Sequence, residues 1–316
     1  MKRYRTVFMG TPEFSLPCLK AMVENTEVVG VVTQPDRPRG RGQKLVPSPV
    51  KTFAFVHDLK LFQPEKARGS DFISELRELD PDFIIVVAFG QILPKELLEI
   101  PRLGAINVHA SLLPRWRGAA PMQWCLMSGD TETGVTTMLM DEGLDTGDML
   151  LKETLSVHPD MNLGALHDRL KEMGARLLVD TLKKIRQGDC PRTPQDDTDS
   201  SYAPMITKET GRIDWQKDAV SICNLIRALD PAPGAYSFLG EQKLKIWRAE
   251  PANTEIKGTP GEIIGFGNGD LLISAGEGTV SVKELQLPGG RRISAADYLR
   301  GHKTVLSHQF KEAMIK

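Results

Sequence analysis

The chain has 316 residues, of which 41% are hydrophobic and 26% are charged, and its formal net charge is −1. This is the composition of a soluble globular protein of about two domains, and its near-neutral charge argues against a protein that coats nucleic acid generally. No apolar run has the length of a signal peptide or a membrane span, so we expect a cytoplasmic protein. The cysteines lack CxxC spacing, so we expect reduced thiols and neither a zinc site nor a disulfide framework. They are Cys18, Cys125, Cys190 and Cys223.

Residues 1–32 alternate between strand and helix patterns. Apolar strands at 6–9 and 28–32 flank a segment, 13–24, whose apolar residues have helical spacing. Alternation at this spacing predicts βαβ units and a mainly parallel sheet. The turn after the first strand holds a single glycine, Gly10, and no GxGxxG pattern. The hypothesis of a nicotinamide-dependent oxidoreductase therefore loses most of its support.

A long loop rich in proline, glycine and arginine is predicted at 33–49. Segment 34–51 holds five basic residues against one acidic residue, and segment 283–316 holds seven against three. Arg41 has a glycine on each side, so this part of the loop can order against a phosphate backbone. Two separated basic segments on a neutral protein fit the docking of one polyanion, and two solvated loops are the alternative.

A nearly continuous apolar run at 82–89 is typical of a central parallel strand. Loop 90–94 follows at its carboxyl end, where ligands bind in open α/β sheets. Phe89, Ile92 and Leu93 can therefore wall a flat aromatic ligand, although a core position is the commoner outcome for any one of them.

Polar and apolar residues alternate in the next predicted strand, 105–110. Asn107 and His109 lie two positions apart, so their side chains leave the same face of the strand. An amide NH2 and a protonated imidazole are both donors, and two donors that converge on one point suit a developing oxyanion. Segment 111–114 then breaks the strand, because Pro114 has no amide hydrogen, and opens its end to a ligand.

An acidic, glycine-spaced loop at 141–148 joins two predicted strands, 134–140 and 149–157. The loop lacks the flanking helices and the twelfth-position glutamate of a calcium loop, so no metal site is predicted. Asp145 is a candidate partner for His109, since a nearby carboxylate favours imidazolium and holds the ring.

The rest of the pattern divides the chain into two domains. A long amphipathic helix at 162–187 closes a first domain, 1–188, and the polar, proline-containing segment 189–207 has the composition of a linker. A second domain, 208–316, holds one helix near 218–229 and several short strands with glycine turns, which predict a small β-barrel.

The candidate site contains an amide, an imidazole and a carboxylate but no obvious nucleophile. Ser111 is the nearest hydroxyl, yet it lacks the GxSxG elbow and follows the strand that would carry its base. Direct transfer of an acyl group between two bound substrates therefore fits better than a covalent acyl-enzyme. Asn107 and His109 would stabilise the oxyanion, while Asp145 would orient His109 and assist proton transfer from the attacking amine.

Asn107-x-His109 followed by Ser-Leu-Leu-Pro-x-x-Arg-Gly, with Asp145 in Gly-Leu-Asp-Thr-Gly-Asp, resembles the folate-dependent formyltransferase family. The opening Phe-Met-Gly-Thr-Pro-Glu-Phe, the loop Thr-Gln-Pro-Asp-Arg-Pro-x-Gly-Arg-Gly and Arg-Ile-Asp-Trp at 212–215 extend this resemblance over nearly the whole chain. The resemblance implies an α/β fold: a Rossmann-like doubly wound formyltransferase domain followed by a small OB-like β-barrel domain. It also implies transfer of formyl from 10-formyltetrahydrofolate to the amino group of a methionyl initiator tRNA.

By this resemblance Asn107, His109 and Asp145 match the catalytic trio, and Arg41 matches a loop arginine that meets the tRNA acceptor arm. Folate contacts are assigned to two loops beside the trio, namely Phe89, Gly90, Gln91, Ile92, Leu93, Ser111, Leu112, Leu113 and Pro114. The residues assigned to tRNA binding are Arg37, Arg39, Arg41, Lys44, Arg291 and Arg292. No metal, membrane or obligate protein partner is expected, and the enzyme is expected to be a monomer.

Two other functions stay open at the level of sequence. A formyltransferase with the same catalytic domain can act on a small amine, such as a nucleotide sugar or glycinamide ribonucleotide. The basic loop and the second domain exceed what such an acceptor needs. The other is a nonenzymatic RNA-binding protein with a degenerate first domain, against which the intact Asn107, His109 and Asp145 argue.

Overall fold

The computed structural model describes residues 3–39, 44–301 and 308–311. In chain order the strands are β1 (Arg5–Gly10), β2 (Glu27–Val32), β3 (Arg37–Arg39), β4 (Lys44–Val46), β5 (Leu61–Phe62), β6 (Phe83–Val87), β7 (Ala105–His109), β8 (Arg117–Gly118), β9 (Glu132–Leu139), β10 (Met149–Ser156), β11 (Tyr202–Ala203), β12 (Ala235–Leu239), β13 (Gln242–Ala252), β14 (Ile263–Gly267), β15 (Asp270–Ser274), β16 (Thr279–Gln286), β17 (Arg292–Ser294) and β18 (Phe310–Lys311). The α-helices are α1 (Leu16–Asn25), α2 (Pro49–Val56), α3 (Ser70–Glu78), α4 (Lys95–Leu98), α5 (Pro121–Met127), α6 (Leu163–Gln187), α7 (Ala219–Ala228) and α8 (Ala295–Gly301).

The chain forms two compact units that do not follow a single cut along the sequence. The first consists of Met1–Gly118, Glu132–Leu155 and His167–Ala203. The second consists of Ala119–Thr131, Ser156–Leu166 and Pro204–Lys316. Helix α6 therefore begins in the second unit and continues into the first.

A seven-stranded sheet organises the first unit, in the order β10-β9-β7-β6-β1-β2-β5. Strands β1, β6 and β7 pair in parallel, and β9 runs antiparallel to β7, so the prediction of a mainly parallel sheet is confirmed. Every residue of β6 and β7 is buried, and the continuous apolar run of β6 is typical of a strand covered on both faces. Parallel pairing places the carboxyl ends of β1, β6 and β7 at one sheet edge.

The segment predicted as a loop at 33–49 contains an antiparallel hairpin of β3 and β4. Its pairing was not apparent from the sequence, because a proline lies in one strand and glycines lie between the two. Ser48 then caps α2 by accepting a hydrogen bond from the backbone amide of Lys51. Arg41, for which the sequence predicts contact with a phosphate backbone, lies outside the described residues.

The second unit is built on an antiparallel sheet in the order β14-β15-β16-β13-β12-β18. Its two edges also meet, because the amide of Ile263 donates to the carbonyl of His308 and the amide of Phe310 donates to that of Gly261. This closure satisfies strand edges that would otherwise be open, and it forms the predicted small barrel. Helix α7, capped by Asp218, contributes apolar side chains to the barrel core.

Segment 189–207, which has the composition of a linker, is attached to the first unit over much of its length. Its strand β11 pairs in parallel with β8, next to the predicted catalytic strand. The side chain of Trp124 donates to the carbonyl of Pro204 within the second unit. Among the described residues, no helix has both the length and the apolar character needed to cross a membrane.

Candidate active site

Strand β7 presents Asn107 and His109 on one face, as their spacing predicts. The two residues are buried, with 8% and 6% of their surface exposed. The strand is held between β6 and β9, which fixes the direction of both side chains. A strand at this position can hold polar groups rigidly at the sheet edge where ligands bind in α/β folds.

The Asp145 carboxylate meets both side chains. Asn107 Nδ2 donates to Asp145 Oδ1 at 3.2 Å, and His109 Nδ1 lies 3.6 Å from Asp145 Oδ2. The backbone amide of Gly118 donates to the same Oδ2 at 2.9 Å. A carboxylate with these three neighbours is oriented precisely, although 38 residues separate Asn107 from it in sequence. The predicted proximity of Asp145 and His109 is present in the structure.

The second imidazole nitrogen of His109 is also engaged. Its Nε2 lies 2.9 Å from the carbonyl oxygen of Trp116, and this nitrogen must carry a hydrogen because a carbonyl only accepts. Trp116 and Asp145 both adopt left-handed backbone conformations, with φ of 61° and 55°. Such conformations cost about 1 kcal/mol or more for a residue with a side chain, and such strain clusters at functional sites.

This geometry refines the predicted oxyanion site. Asn107 and His109 converge as expected, but the group at which they meet is the Asp145 carboxylate. The amide NH2 of Asn107 carries two hydrogens, and one of them is used by Asp145. The other hydrogen is the donor with which this side chain can stabilise a substrate oxygen.

Segment 111–114 is anchored mainly to the strands beside it. Ser111 is fully buried, and its hydroxyl donates to the carbonyl of Arg115 at 2.6 Å. Leu113 packs against Met138 and Met149, and its carbonyl accepts from Lys152, whose pKa is lowered by burial. The accessible members of this segment line a hollow of about 540 Å³. Its lining is Leu112, Pro114, Arg115, Trp116, Asp199 and Ser201.

Loop 89–93 divides into core and surface residues. Phe89 and Leu93 belong to the apolar core of the first unit, whereas Ile92 is 87% exposed. Gln91 fixes the loop, because its Oε1 accepts a hydrogen bond from the backbone amide of Ala67 at 2.7 Å. Gly90 has φ of 87°, which favours glycine, so the turn exposes its backbone to a ligand. Direct side-chain contact with folate is therefore easier for Ile92 than for Phe89 or Leu93.

The basic residues assigned to tRNA differ in their surroundings. Arg37 has an exposed side chain, 3.9 Å from Glu65. Arg291 is exposed at the surface of the second unit. Arg292 instead pairs with Asp230 at 2.7 Å. The side chains of Arg39 and Lys44, and the whole of Arg41, lie outside the described part of the chain.

Two cysteines of the chain, Cys18 and Cys223, are buried and are not ready nucleophiles. Burial raises the pKa of the Cys18 thiol to about 12 and that of Cys223 to about 12, so both remain protonated thiols near neutral pH. In the part of the chain that is described, no group of three or more His, Cys, Asp or Glu side chains is arranged to hold a metal ion.

Residues 5–182 match the protein family described as formyl transferase, and residues 205–303 match the formyl transferase C-terminal domain. The chain belongs to the formyl transferase family. It is a formyl-transferring enzyme, and the predicted fold class, a Rossmann-like domain followed by an OB-like barrel, is confirmed.

Relatives within the formyl transferase family match the chain along almost its whole length. The methionyl-tRNA formyltransferase of Geotalea daltonii is 54% identical over 300 residues, which cover 95% of this chain and 96% of the relative. That of Geobacter sulfurreducens is 50% identical over 304 residues, covering 96% and 95%.

Solved structures of more distant proteins share the formyl transferase fold. The N-formyltransferase from Helicobacter canadensis, solved with folinic acid and dTDP-3-aminofucose, has a TM-score of 0.67 at 20% identity, covering 89% of this chain and 99% of that one. HypX from Aquifex aeolicus, solved with tetrahydrofolic acid, has a TM-score of 0.62 at 20% identity. All of this chain is covered in that comparison, and it spans 49% of HypX.

Sequence reasoning missed several residues that shape the site. Gln195 donates to the carbonyls of Asp145 and Gly147, and Gly118 supplies the amide that meets the Asp145 carboxylate. Gly118 has φ of 113°, and a side chain there would collide with Tyr202 of β11. Gly118 itself was the available signal, because glycine is common where a backbone must approach another group closely.

Proposed function

We propose that this enzyme transfers the formyl group of 10-formyltetrahydrofolate to the α-amino group of a methionyl initiator tRNA. The observation that carries the chemistry is the meeting of Asn107, His109 and Asp145 at the end of β7, with distances of 3.2 and 3.6 Å to the carboxylate. Relatives that are 50% to 54% identical carry the name methionyl-tRNA formyltransferase, which supports the choice of acceptor.

The proposed reaction is a direct displacement at the formyl carbon. The amine nitrogen attacks this carbon, the bond from the carbon to N10 of the folate breaks, and tetrahydrofolate leaves with a proton. The second amide hydrogen of Asn107 donates to the oxygen that becomes negative, and the positive charge of a protonated His109 ring, held between Asp145 and Trp116, stabilises it electrostatically. Asp145 holds His109 and assists removal of the proton from the amine. Each oxyanion donor of this kind contributes roughly 100- to 1,000-fold in rate, and acid–base assistance about 100- to 10,000-fold.

Binding of folate is assigned to the two loops that flank the trio. Gly90 and Ile92 expose backbone and apolar surface, and Leu112 and Pro114 line the hollow beside Trp116. Gln91, Ser111 and Leu113 would act by holding these loops, since their own polar or apolar groups are already engaged within the protein. The folate is a cosubstrate in this scheme, and the chemistry requires no metal.

The tRNA is assigned to the basic segments at 34–51 and 283–316. A phosphate backbone binds through separated cations, and such binding weakens as salt displaces it. A tRNA acceptor implies a cytoplasmic enzyme, and a chain that carries both segments is proposed to act as a monomer.

The assay combines the purified chain with 10-formyltetrahydrofolate and each acceptor in turn, and measures formylated amine. The acceptors are methionyl initiator tRNA, methionyl elongator tRNA and an amino sugar nucleotide. We expect formylmethionine on the initiator tRNA at the highest kcat/KM. Faster formylation of the amino sugar nucleotide would instead favour a small-acceptor enzyme, and transfer to no acceptor would leave the RNA-binding alternative.

A further inference from the structure

Gln195 joins the segment with linker composition to the loop that carries Asp145. Its Nε2 donates to the carbonyl of Asp145 at 2.8 Å and to the carbonyl of Gly147 at 2.8 Å. Its Oε1 accepts from Arg117 Nε at 2.9 Å. Among residues 191–200, Gln195 is half-buried and the other residues are exposed. A single side chain of this polar segment therefore packs against the first unit.

Asp197 and Ser201 hold the same segment, 189–207, against residues 116–117. Arg117 Nη2 lies 2.9 Å from Asp197 Oδ1, and the amide of Arg117 donates to the carbonyl of Ser201 at 2.9 Å. Ser201 Oγ accepts from the amide of Trp116 at 2.9 Å. The segment 195–203, called the strap below, therefore contacts Trp116, whose carbonyl meets His109, and Arg117, which precedes Gly118.

Gln195 of the strap binds the carbonyl of Asp145, a residue whose backbone conformation is unfavourable. Asp145 has φ of 55°, and a left-handed residue with a side chain persists only where its surroundings fix it. The two hydrogen bonds from Gln195 fix the carbonyls of Asp145 and Gly147, and the Gly118 amide fixes the Asp145 carboxylate. Gln195 is connected to Gly118 through Arg117, so one side chain controls the backbone on both sides of the carboxylate.

We propose that Gln195 is a positioning residue for formyl transfer, which aligns the Asp145 carboxylate with His109 and Asn107. This inference rests on the proposed catalytic role of Asp145. The strap then acts as a part of the catalytic site, in addition to joining the two parts of the chain. Because Gln195 touches no reacting atom, its loss should lower kcat and leave the binding of both substrates nearly unchanged.

The test compares Gln195→Ala, Gln195→Glu and Asp145→Asn with a matched control, Gln187→Ala, whose side chain is exposed at the end of α6. Circular dichroism and thermal unfolding establish that each full-length variant is folded. Displacement of a catalytic group by about 1 Å can cost about 100-fold in rate, so we expect kcat to fall about 10- to 100-fold in Gln195→Ala. The KM for folate and for tRNA should change by less than about threefold.

Gln195→Glu distinguishes hydrogen bonding from packing, because it keeps the size of the side chain and an acceptor for Arg117. Its carboxylate would face the carbonyl oxygens of Asp145 and Gly147 without a hydrogen to donate, so kcat should fall at least as far as in Gln195→Ala. Protonation at lower pH restores one O–H donor. The ratio of the variant's kcat to the wild-type kcat should therefore rise as pH falls, while the ratio for Gln195→Ala stays flat.

Several results would overturn the inference. One is a kcat of Gln195→Ala within about twofold of wild type, measured while Asp145→Asn is inactive. This result would reject the role of Gln195 and leave the proposed function intact. Another is a rise in KM at unchanged kcat, or full activity in Gln195→Glu at neutral pH, since either would indicate a role in tethering or packing. Normal turnover in Asp145→Asn would instead reject the proposed role of Asp145 itself.

Discussion

Two carboxylates, one in each unit, have similar side-chain exposures of 13% and 12% but contrasting surroundings. In the first unit Asp145 contacts an amide, a backbone amide and the imidazole of His109. In the second unit Asp230 pairs with the guanidinium of Arg292 at 2.7 Å and accepts a hydrogen bond from Asn162 at 2.6 Å. Within the described part of the chain, the ion-pair partner of Asp145 is the imidazole of His109, whereas that of Asp230 is a guanidinium.

The permanent cation beside Asp230 is itself immobilised. Arg292 stacks over the ring of Trp247 at 3.6 Å, and the indole of Trp247 donates to Gln286 at 3.0 Å. A guanidinium that is paired and stacked in this way joins neighbouring elements. The comparison teaches that burial alone does not mark a catalytic carboxylate. The titratable partner and the left-handed backbone of Asp145 distinguish it from Asp230.

The largest expected effect comes from removing the charge at Asp145. Asp145→Asn keeps the size of the side chain but loses the negative charge that holds a protonated His109, so turnover should fall about 100- to 10,000-fold. Steady-state formylation of methionyl initiator tRNA measures this change. The control is Glu142→Gln. Glu142 lies in the same acidic loop and forms an exposed ion pair with Lys95, so this variant should retain near-normal turnover. A small effect at Asp145 would remove the distinction between the two carboxylates.

Removal of the charge at Asp230 should affect stability more than chemistry. In Asp230→Asn, Arg292 loses its partner, and we expect the free energy of unfolding to fall by about 1–2 kcal/mol because the pair is partly exposed to water. Urea unfolding monitored by circular dichroism measures this loss. The kcat for formyl transfer should stay within about threefold of wild type. A loss of turnover comparable to that of Asp145→Asn would show that the second carboxylate also serves the reaction.

A smaller effect is expected in the basic segment of the first unit, where Arg41 lies outside the described residues. If it contacts a phosphate, Arg41→Ala should raise the KM for tRNA several-fold and leave the KM for folate unchanged. Loss of one contact should also reduce the slope of log affinity against log salt by about 0.7–0.9. The control is Glu65→Gln, which removes a negative charge beside Arg37 instead of a positive charge. Because Glu65 competes with phosphate for Arg37, this variant should not weaken tRNA binding. An unchanged salt slope in Arg41→Ala would reject the contact.

The sequence was sufficient to predict the catalytic strand, because its signal is local. Asn107 and His109 alternate with buried residues, and this alternation sets the common face that the structure has. The central strands β1 and β6 were also predictable, since buried parallel strands are continuous apolar runs. The resemblance to formyltransferases then identified Asp145 as the third member, which spacing alone left as a candidate.

Longer-range features could not be read from local patterns. Gln195 lies 50 residues from Asp145 in sequence, and a polar segment with prolines has the same composition whether it is a free linker or a strap. For Phe89 and Leu93, an apolar run cannot distinguish a pocket wall from the core, and both lie in the core.

The most direct test of the account is a single-turnover measurement with His109→Ala, in which enzyme exceeds tRNA and both substrates are saturating. This measurement isolates the chemical step from substrate binding and product release. If His109 stabilises the oxyanion beside Asp145, the rate of formyl transfer should fall by at least about 100-fold with substrate affinities and fold retained. A rate within threefold of wild type would contradict the assignment of formyl transfer to Asn107, His109 and Asp145.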